Sequence, residues 1–298
     1  MNVPLKVSQR LWTIAFLALP LSVYVIVVIG PLLSTAYLSF TKYVISAQSS
    51  PEFIGLDNYE RIFTDPLFQI SIRNSLVWMG AALVLPTGGG LILALLLHER
   101  VRFANGFKSL FYLPITISMI VIARTWDWIY QPRWGLLNEL LEWVGLAEWR
   151  NAWLGDTQTA LAAIILAWSW QQVGISMVIF LAGLTSIPRE LVEAAQIDGA
   201  SYRQTLRKVV LPLLLPSSVV VIALAVINSL RSFDIVWVVN EGGPVNSTFT
   251  LAVHMYRETF KSLRAGYGSA ISMVLFALAL IIIVLYFSRI RRLEHLYD

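Results

Sequence analysis

Apolar residues in this chain gather into six long blocks separated by polar stretches. They run Leu11 to Leu38, Ser75 to Leu97, Ser109 to Ile129, Ala160 to Leu184, Leu213 to Leu230 or a little beyond, and Ala270 to Phe287. Each meets or nearly meets the ~18 to 20 residues that a helix needs to cross a hydrocarbon core of ~30 Å. Pro20, Pro31, Pro86, Pro114, Pro212 and Pro216 fall within or beside these blocks. In a membrane they are compatible with helix, because neighbouring helices re-satisfy the backbone groups that proline frees. The pattern therefore predicts an all-α polytopic membrane protein with six transmembrane helices, forming a single transmembrane domain over 1–298.

Composition sharpens this. The chain is 57% hydrophobic and 13% charged, against roughly 25% charged residues in soluble domains, and its mean hydropathy is +0.69. A soluble fold is excluded. Lys6 and Arg10 precede the first apolar block as they would in a secretory signal, but the block far exceeds the ~7 to 15 residues of a signal core and no small-residue cleavage site follows. It reads as a retained span.

With six spans both termini share one side, and basic residues choose it. Placing the N-terminus in the cytoplasm puts 12 Lys and Arg inside and 8 outside, with Arg124 and Arg231 in or at the edge of spans. The expected topology is N-in/C-in, with membrane lipid as the surrounding solvent. Three outer segments follow, 39–74, 130–159 and 238–269. Trp126, Trp128, Trp134, Trp143, Trp149 and Trp153 concentrate at the second, as an interfacial aromatic belt or a docking surface would require. The scattering of basic residues around span ends, rather than in one stripe, argues against nucleic acid. The chain has no cysteine, and its three histidines, His98, His254 and His295, lie far apart in sequence. No metal site is expected.

Between the fourth and fifth spans lies a polar cytoplasmic insert, Thr185 to Pro212. It is built as two short helices with a break. Pro188 suits a first helical position, Leu191, Ala194 and Ala195 form a small apolar stripe, and Gly199 can supply a left-handed turn. Ser201 with Gln204 has the spacing of a capping box, and Leu211-Pro212 leads into the next span. The stripe is too small for a helix lying on lipid. Its alanines suit close approach to a partner's backbone, with Glu193 and Asp198 available at the rim.

Glu193-Ala194-Ala195, Asp198-Gly199-Ala200 and Leu211-Pro212 closely resemble the EAA loop of binding-protein-dependent ABC importer permeases. Phe53-Ile54-Gly55-Leu56-Asp57-Asn58-Tyr59, Gly242-Gly243-Pro244 with Ser247-Thr248, and Gly266-Tyr267-Gly268-Ser269-Ala270 extend the resemblance to the carbohydrate-uptake branch, the maltose-type and glycerol-phosphate-type permeases. The resemblance implies a type I ABC importer permease fold in the inner membrane of a bacterial or archaeal cell. It implies a heterodimer with a second, homologous permease subunit, a cytoplasmic ABC ATPase dimer carrying ATP and Mg, an extracytoplasmic solute-binding protein, and a carbohydrate substrate. It assigns Glu190, Glu193, Ala194, Ala195, Asp198, Gly199, Ala200, Leu211 and Pro212 to ATPase coupling. This chain has no G-x-x-x-x-G-K-[ST] phosphate loop, so nucleotide is expected on the other subunit and no cofactor on this one. Gly88-Gly89-Gly90 lies inside an apolar span and reads as a helix-packing surface.

Polar groups at bilayer depth mark a solute path. The fourth span offers Trp168, Gln171 and Gln172, and the fifth offers Asn228, Ser229 and Ser232. Aromatic faces suit the C–H surface of sugars, and amides and hydroxyls suit their OH groups. The bland reading of the same residues is interhelical hydrogen bonding, worth about 0.6 kcal/mol on average; in maltose-type permeases the corresponding stretches line the solute site. Arg124 with Asp127, and Arg231 with Asp234, stand at i, i+3 and are expected to pair. His98 and Glu99 are expected to end the second span in cytoplasmic water. No catalytic residues are expected, because no paired carboxylates, HExxH or Ser/His arrangement shares a depth. The alternative function, a secondary transporter driven by an ion gradient, would call for mid-membrane carboxylates and inverted repeats, and neither is evident.

Overall fold

The computed structural model describes residues 5–46, 50–98 and 102–294, so Glu99, Arg100 and His295 lie outside the described residues. The first apolar block is helical throughout. α1 (Leu5–Tyr24) passes through a π turn (Val25–Ile29) into α2 (Gly30–Ser39). Pro31 explains the wider turn, since its ring clashes with the carbonyl four residues back and it brings no N–H.

Residues up to Thr64 and Met255–Val274 form one compact unit. A two-stranded antiparallel ribbon, β1 (Thr41–Lys42) with β2 (Glu52–Phe53), places Thr41 opposite Phe53. α3 (Asp57–Thr64) follows. Its buried Asn58 donates both amide hydrogens, to the carbonyls of Ser39 and Thr41, each at 2.9 Å. Tyr59 Oη lies 2.8 Å from Ser39 Oγ. Gly266 is glycine for want of space, because a Cβ there would strike the Thr41 carbonyl. The Arg61 guanidinium stacks 4.2 Å above the Tyr267 ring, and Arg264 pairs with Glu258 at 3.3 Å. The motif residues Asn58, Tyr59, Gly266 and Tyr267 are thus packing joints within this unit.

The second unit comprises Asp65–His254 and the chain from Leu275 on. Its centre is α4 (Pro66–His98) packed on α8 (Ala160–Ser186), with α12 (Leu215–Leu230) against both. Glycine sets the closeness: a Cβ on Gly90 would lie 2.8 Å from the Met177 amide nitrogen. Trp78 meets Trp168 edge to face at 5.8 Å, a contact worth about 0.5–1.5 kcal/mol beyond burial. Below this level Ala94, Leu97, Met177, Phe180, Leu184, Leu214 and Val221 form a second apolar cluster.

Three spans depart from expectation. α4 begins at Pro66, well before Ser75, so the outer segment 39–74 is shorter than its polar composition suggests. Helix continues through Asn74 and Ser75 because both find partners: Asn74 donates to the carbonyls of Ser247 and Phe249, and Ser75 Oγ accepts the Leu251 N–H. The third block is not one straight span. α5 (Ala104–Tyr112), a 3-10 turn (Leu113–Thr116) and α6 (Met119–Ile129) bend by 104°. Pro114 tightens the turn, Ile117 and Ser118 are extended, and Ser118 Oγ caps α6 on the Val121 N–H. Among the described residues there are five apolar helical segments long enough to cross a membrane, and one bent pair. Last, α12 stops at Leu230 and resumes as α13 (Asp234–Asn240). That break overturns the pairing of Arg231 with Asp234, because the two no longer share a helix turn. Arg124 and Asp127, both on α6, do pair, at 3.8 Å.

The segment 130–159 holds α7 (Leu136–Trp143) and is organised by the buried Asn138. Asn138 Oδ1 accepts the Trp153 indole N–H at 2.7 Å, while its amide donates to the carbonyls of Pro132 and Asn151. The six tryptophans divide in consequence. Trp126 and Trp153 pack on the core, while Trp128, Trp134, Trp143 and Trp149 are 60–89% exposed. The Gln158 backbone N–H, then the Asn151 amide, hold the half-buried Asp156 carboxyl below its ordinary pKa. In the segment 238–269, Asn240 and Thr248 bracket the Gly242–Pro244 turn, and a Cβ on Gly242 would run into the Phe249 ring. After α14 (Leu251–Tyr256), α15 (Ala265–Glu294) forms the last span and begins five residues before Ala270.

Candidate coupling loop and solute pathway

The insert 185–212 folds as the break-and-restart pattern requires. Pro188 is the N-cap residue of α9 (Arg189–Ile197) rather than its first helical residue. At the other end Asp198 is the C-cap, and Gly199 takes φ +81°. The Gly199 N–H bonds the Gln196 carbonyl, and the Ala200 N–H bonds the Ala195 carbonyl, both at 3.0 Å. This is the Schellman closure of a helix, which needs a left-handed residue at the position Gly199 fills. α10 (Tyr202–Thr205) then opens with the Ser201–Gln204 capping box complete. A π turn (Leu206–Val210) carries the chain into Leu211-Pro212. It widens where the Pro212 ring would crowd a regular turn.

α9 has no buried residue. Glu190, Glu193, Ala194, Asp198 and Gly199 are exposed, as is Leu211, whereas Ala195, Ala200 and Pro212 are half-buried. The predicted stripe is split accordingly: Leu191 and Ala194 face outward, while Ala195 and Val192 face the molecule. Ile197 and Tyr202, not singled out from sequence, add exposed apolar surface at 86% and 63%. Behind the loop lies a cavity of about 340 Å3, walled by Leu95, Leu184, Ile187 and Val210, with His98 at the end of α4 also on its lining.

The six pathway candidates also divide. Trp168 is buried against Trp78, and Ser229 is fully buried and donates to the Val226 carbonyl. Ser232 is buried too, and its backbone carbonyl accepts the Thr250 hydroxyl at 3.3 Å. Gln172 and Asn228 are half-buried and meet across α8 and α12, with Asn228 Nδ2 donating to Gln172 Oε1 at 3.3 Å. They line a crevice with Trp168, Pro86, Ser176 and Leu224. Its volume is about 10 Å3, the size of one water. A sugar would have to part α8 from α12. Gln171 has a different neighbour: its amide donates to the Ile117 carbonyl at the bend between α5 and α6. Sequence gave no sign of that bond, because the partner is a backbone group on another span.

Residues 86–293, from the middle of α4 to the end of α15, match the family model described as binding-protein-dependent transport system inner membrane component. The chain belongs to this family. It is the membrane-spanning permease subunit of an ABC importer and a component of a transporter. It is 40% identical to a probable ABC transporter permease protein of Pyrococcus horikoshii over 84% of this chain and 85% of that one. It is 33% identical to the trehalose/maltose transport system permease protein MalF of Thermococcus litoralis, covering 96% of each. In fold it is similar to a bacterial alginate ABC transporter solved with a periplasmic protein bound to alginate pentasaccharide: TM-score 0.84, 22% identity, 98% of both chains covered. The family match spans residues 185–212 and the whole of α8 and α12. No likeness among these points to a transporter driven by an ion gradient.

Proposed function

We propose that this permease carries a neutral sugar across the inner membrane of a bacterial or archaeal cell, N-in/C-in, as one half of a heterodimer with a homologous permease subunit. A binding protein outside delivers the sugar. A cytoplasmic ATPase dimer, binding ATP and Mg, takes α9 into a cleft and drives alternating access. The observation that carries this reading is a locally locked yet uncovered helix. Two capping devices hold α9–α10 in shape while Leu191, Ala194 and Ile197 stay exposed. Exposed apolar side chains on a rigid helix at the cytoplasmic end of two spans suit helix-in-groove docking. Sugar as the cargo is supported by the name of the trehalose/maltose relative, and by neutral amides, Gln172 and Asn228, where the two central helices meet.

ATP-dependent uptake in membrane vesicles carrying Glu193→Lys tests the coupling role. Reversing the charge at the exposed rim of α9 is expected to lower uptake at least about tenfold, equivalent to 1.4 kcal/mol of lost docking, and to strip the ATPase from the purified permease. Normal uptake with normal ATPase recovery would remove α9 from the coupling role.

A further inference from the structure

A single file of side-chain amides crosses three elements at one depth. Asn228 Nδ2 on α12 donates to Gln172 Oε1 at 3.3 Å, Gln172 Nε2 donates to Gln171 Oε1 at 3.2 Å, and Gln171 Nε2 donates to the Ile117 carbonyl at 2.9 Å. Ile117 is the extended residue where α5 gives way to α6. Every link points the same way, from the crevice between α8 and α12 to the 104° bend. The far end is clamped close by: a Cβ on Gly174 would collide with the Phe111 carbonyl and lie 3.1 Å from Tyr112 Cα. The last turn of α5 therefore rests on the backbone of α8 one turn from Gln171. Among the described residues no carboxylate or cation belongs to this file.

We propose that Gln171 is a positioning residue that reports solute between α8 and α12 to the bend of the third span. This rests on the reading of Gln172 and Asn228 as solute contacts. The chemistry of insertion follows from the direction of the chain. A group entering the Asn228–Gln172 bond must accept from an N–H and donate to a carbonyl oxygen. A hydroxyl does both; an ammonium only donates and a carboxylate only accepts. A neutral polyol thus enters without leaving either amide unsatisfied, and pushes the Gln172 side chain toward Gln171. Gln171 then loosens or shifts its hold on Ile117, the one link between the file and a segment of non-helical backbone. Broken helices at membrane depth occur where backbone is buried in protein or lines a cavity, and one side chain, Gln171, bonds this break to α8.

The test uses the whole importer, with its partner permease, ATPase and binding protein, in nanodiscs. Trehalose, maltose and a set of monosaccharides are screened, and the sugar that most stimulates ATPase is the probe. The chain has no cysteine, so spin labels at Leu110→Cys on α5 and Val121→Cys on α6, both exposed, read the bend directly. In the otherwise unchanged chain the probe sugar is expected to shift the label distance distribution; a distribution that never responds to sugar overturns the proposal even if no Gln171 variant assembles. Gln171→Met, which keeps volume but loses the donor, is expected to abolish that shift and lower kcat for uptake at least about tenfold, with KM within about twofold. A raised KM at unchanged kcat would make Gln171 a contact residue and overturn the positioning role. If Gln172→Ala raises KM while Gln171→Met leaves kcat and the shift intact, the relay alone falls. Unchanged kinetics in both Gln172→Ala and Asn228→Ala remove the solute-pathway reading, and the relay with it.

Discussion

The loop 185–212 leaves the C-terminal end of α8, the amide file meets the middle of the same helix at Gln171 and Gln172, and the two are held in opposite ways. α9–α10 is shaped by bonds between near neighbours: Ser201 with Gln204, Ala200 with Ala195, Gly199 with Gln196. No residue of α9 is buried among the described residues. The file depends on partners more than 50 positions apart, Gln171 with Ile117 and Gln172 with Asn228. A locally locked, bare element can be handed to another protein without rearranging. An element held by long-range amide bonds changes when those bonds are interrupted, which is what the proposed solute would do. The two regions should therefore fail differently: the loop by losing a partner, the file by altered uptake kinetics with the partner retained.

The largest separation is expected from Gly199→Val. A branched residue at φ +81° costs about 1–2 kcal/mol, enough to fray the end of α9 and lower both uptake and ATPase co-purification about tenfold. Gly199→Asn, which tolerates the left-handed region, is expected to retain most of both. Equal losses in the two variants, measured by pull-down and vesicle uptake, would show that backbone geometry is not what Gly199 supplies. A smaller effect is expected from Gln172→Ala and Asn228→Ala. Asn228→Ala removes one amide bond and Gln172→Ala two, each of about 0.6 kcal/mol, so KM for uptake is expected to change about threefold in the first and up to about eightfold in the second, with ATPase co-purification intact in both; loss of the ATPase in either would erase the contrast between the regions. The smallest effect lies outside both. Contacts from Gln158 and Asn151 favour ionised Asp156. Its contribution to the order of the 151–158 turn is present above the ordinary carboxyl pKa of about 3.9 and lost as pH falls through the lower folded value. Hydrogen exchange at the Gln158 amide is expected to be flat from pH 8 to 5 apart from the intrinsic chemical rate, and to lose protection only in stronger acid.

The same division explains what the sequence made legible. Gly199 and the Ser201–Gln204 pair announce their roles because a cap is written within a few residues, and the apolar blocks announce the spans because hydrocarbon thickness is a length. The bend at Ile117 was hidden. Pro114 is one proline among several in apolar blocks, and the others at Pro20 and Pro86 lie inside continuous helices. The start of α4 was hidden in the same manner, since Asn74 and Ser75 look like loop until the carbonyls of Ser247 and Phe249 and the N–H of Leu251 arrive from the other end of the unit. Among the pathway candidates, Trp168 and Gln172 share one face of α8, and only the packing of Trp78 against the first and Asn228 against the second separates core from crevice. The pairing of Arg231 with Asp234 failed because it assumed a helix that stops at Leu230.

Ala194, outward-facing on α9 where Ala195 turns inward, is the position from which the partner is best caught. With Ala194→Cys as the sole thiol of the chain, a short thiol-to-amine crosslinker in intact cells is expected to join the permease to a nucleotide-hydrolysing subunit, identified by mass spectrometry of the crosslinked peptide. Cells that import their sugar normally yet yield no such adduct would contradict the account.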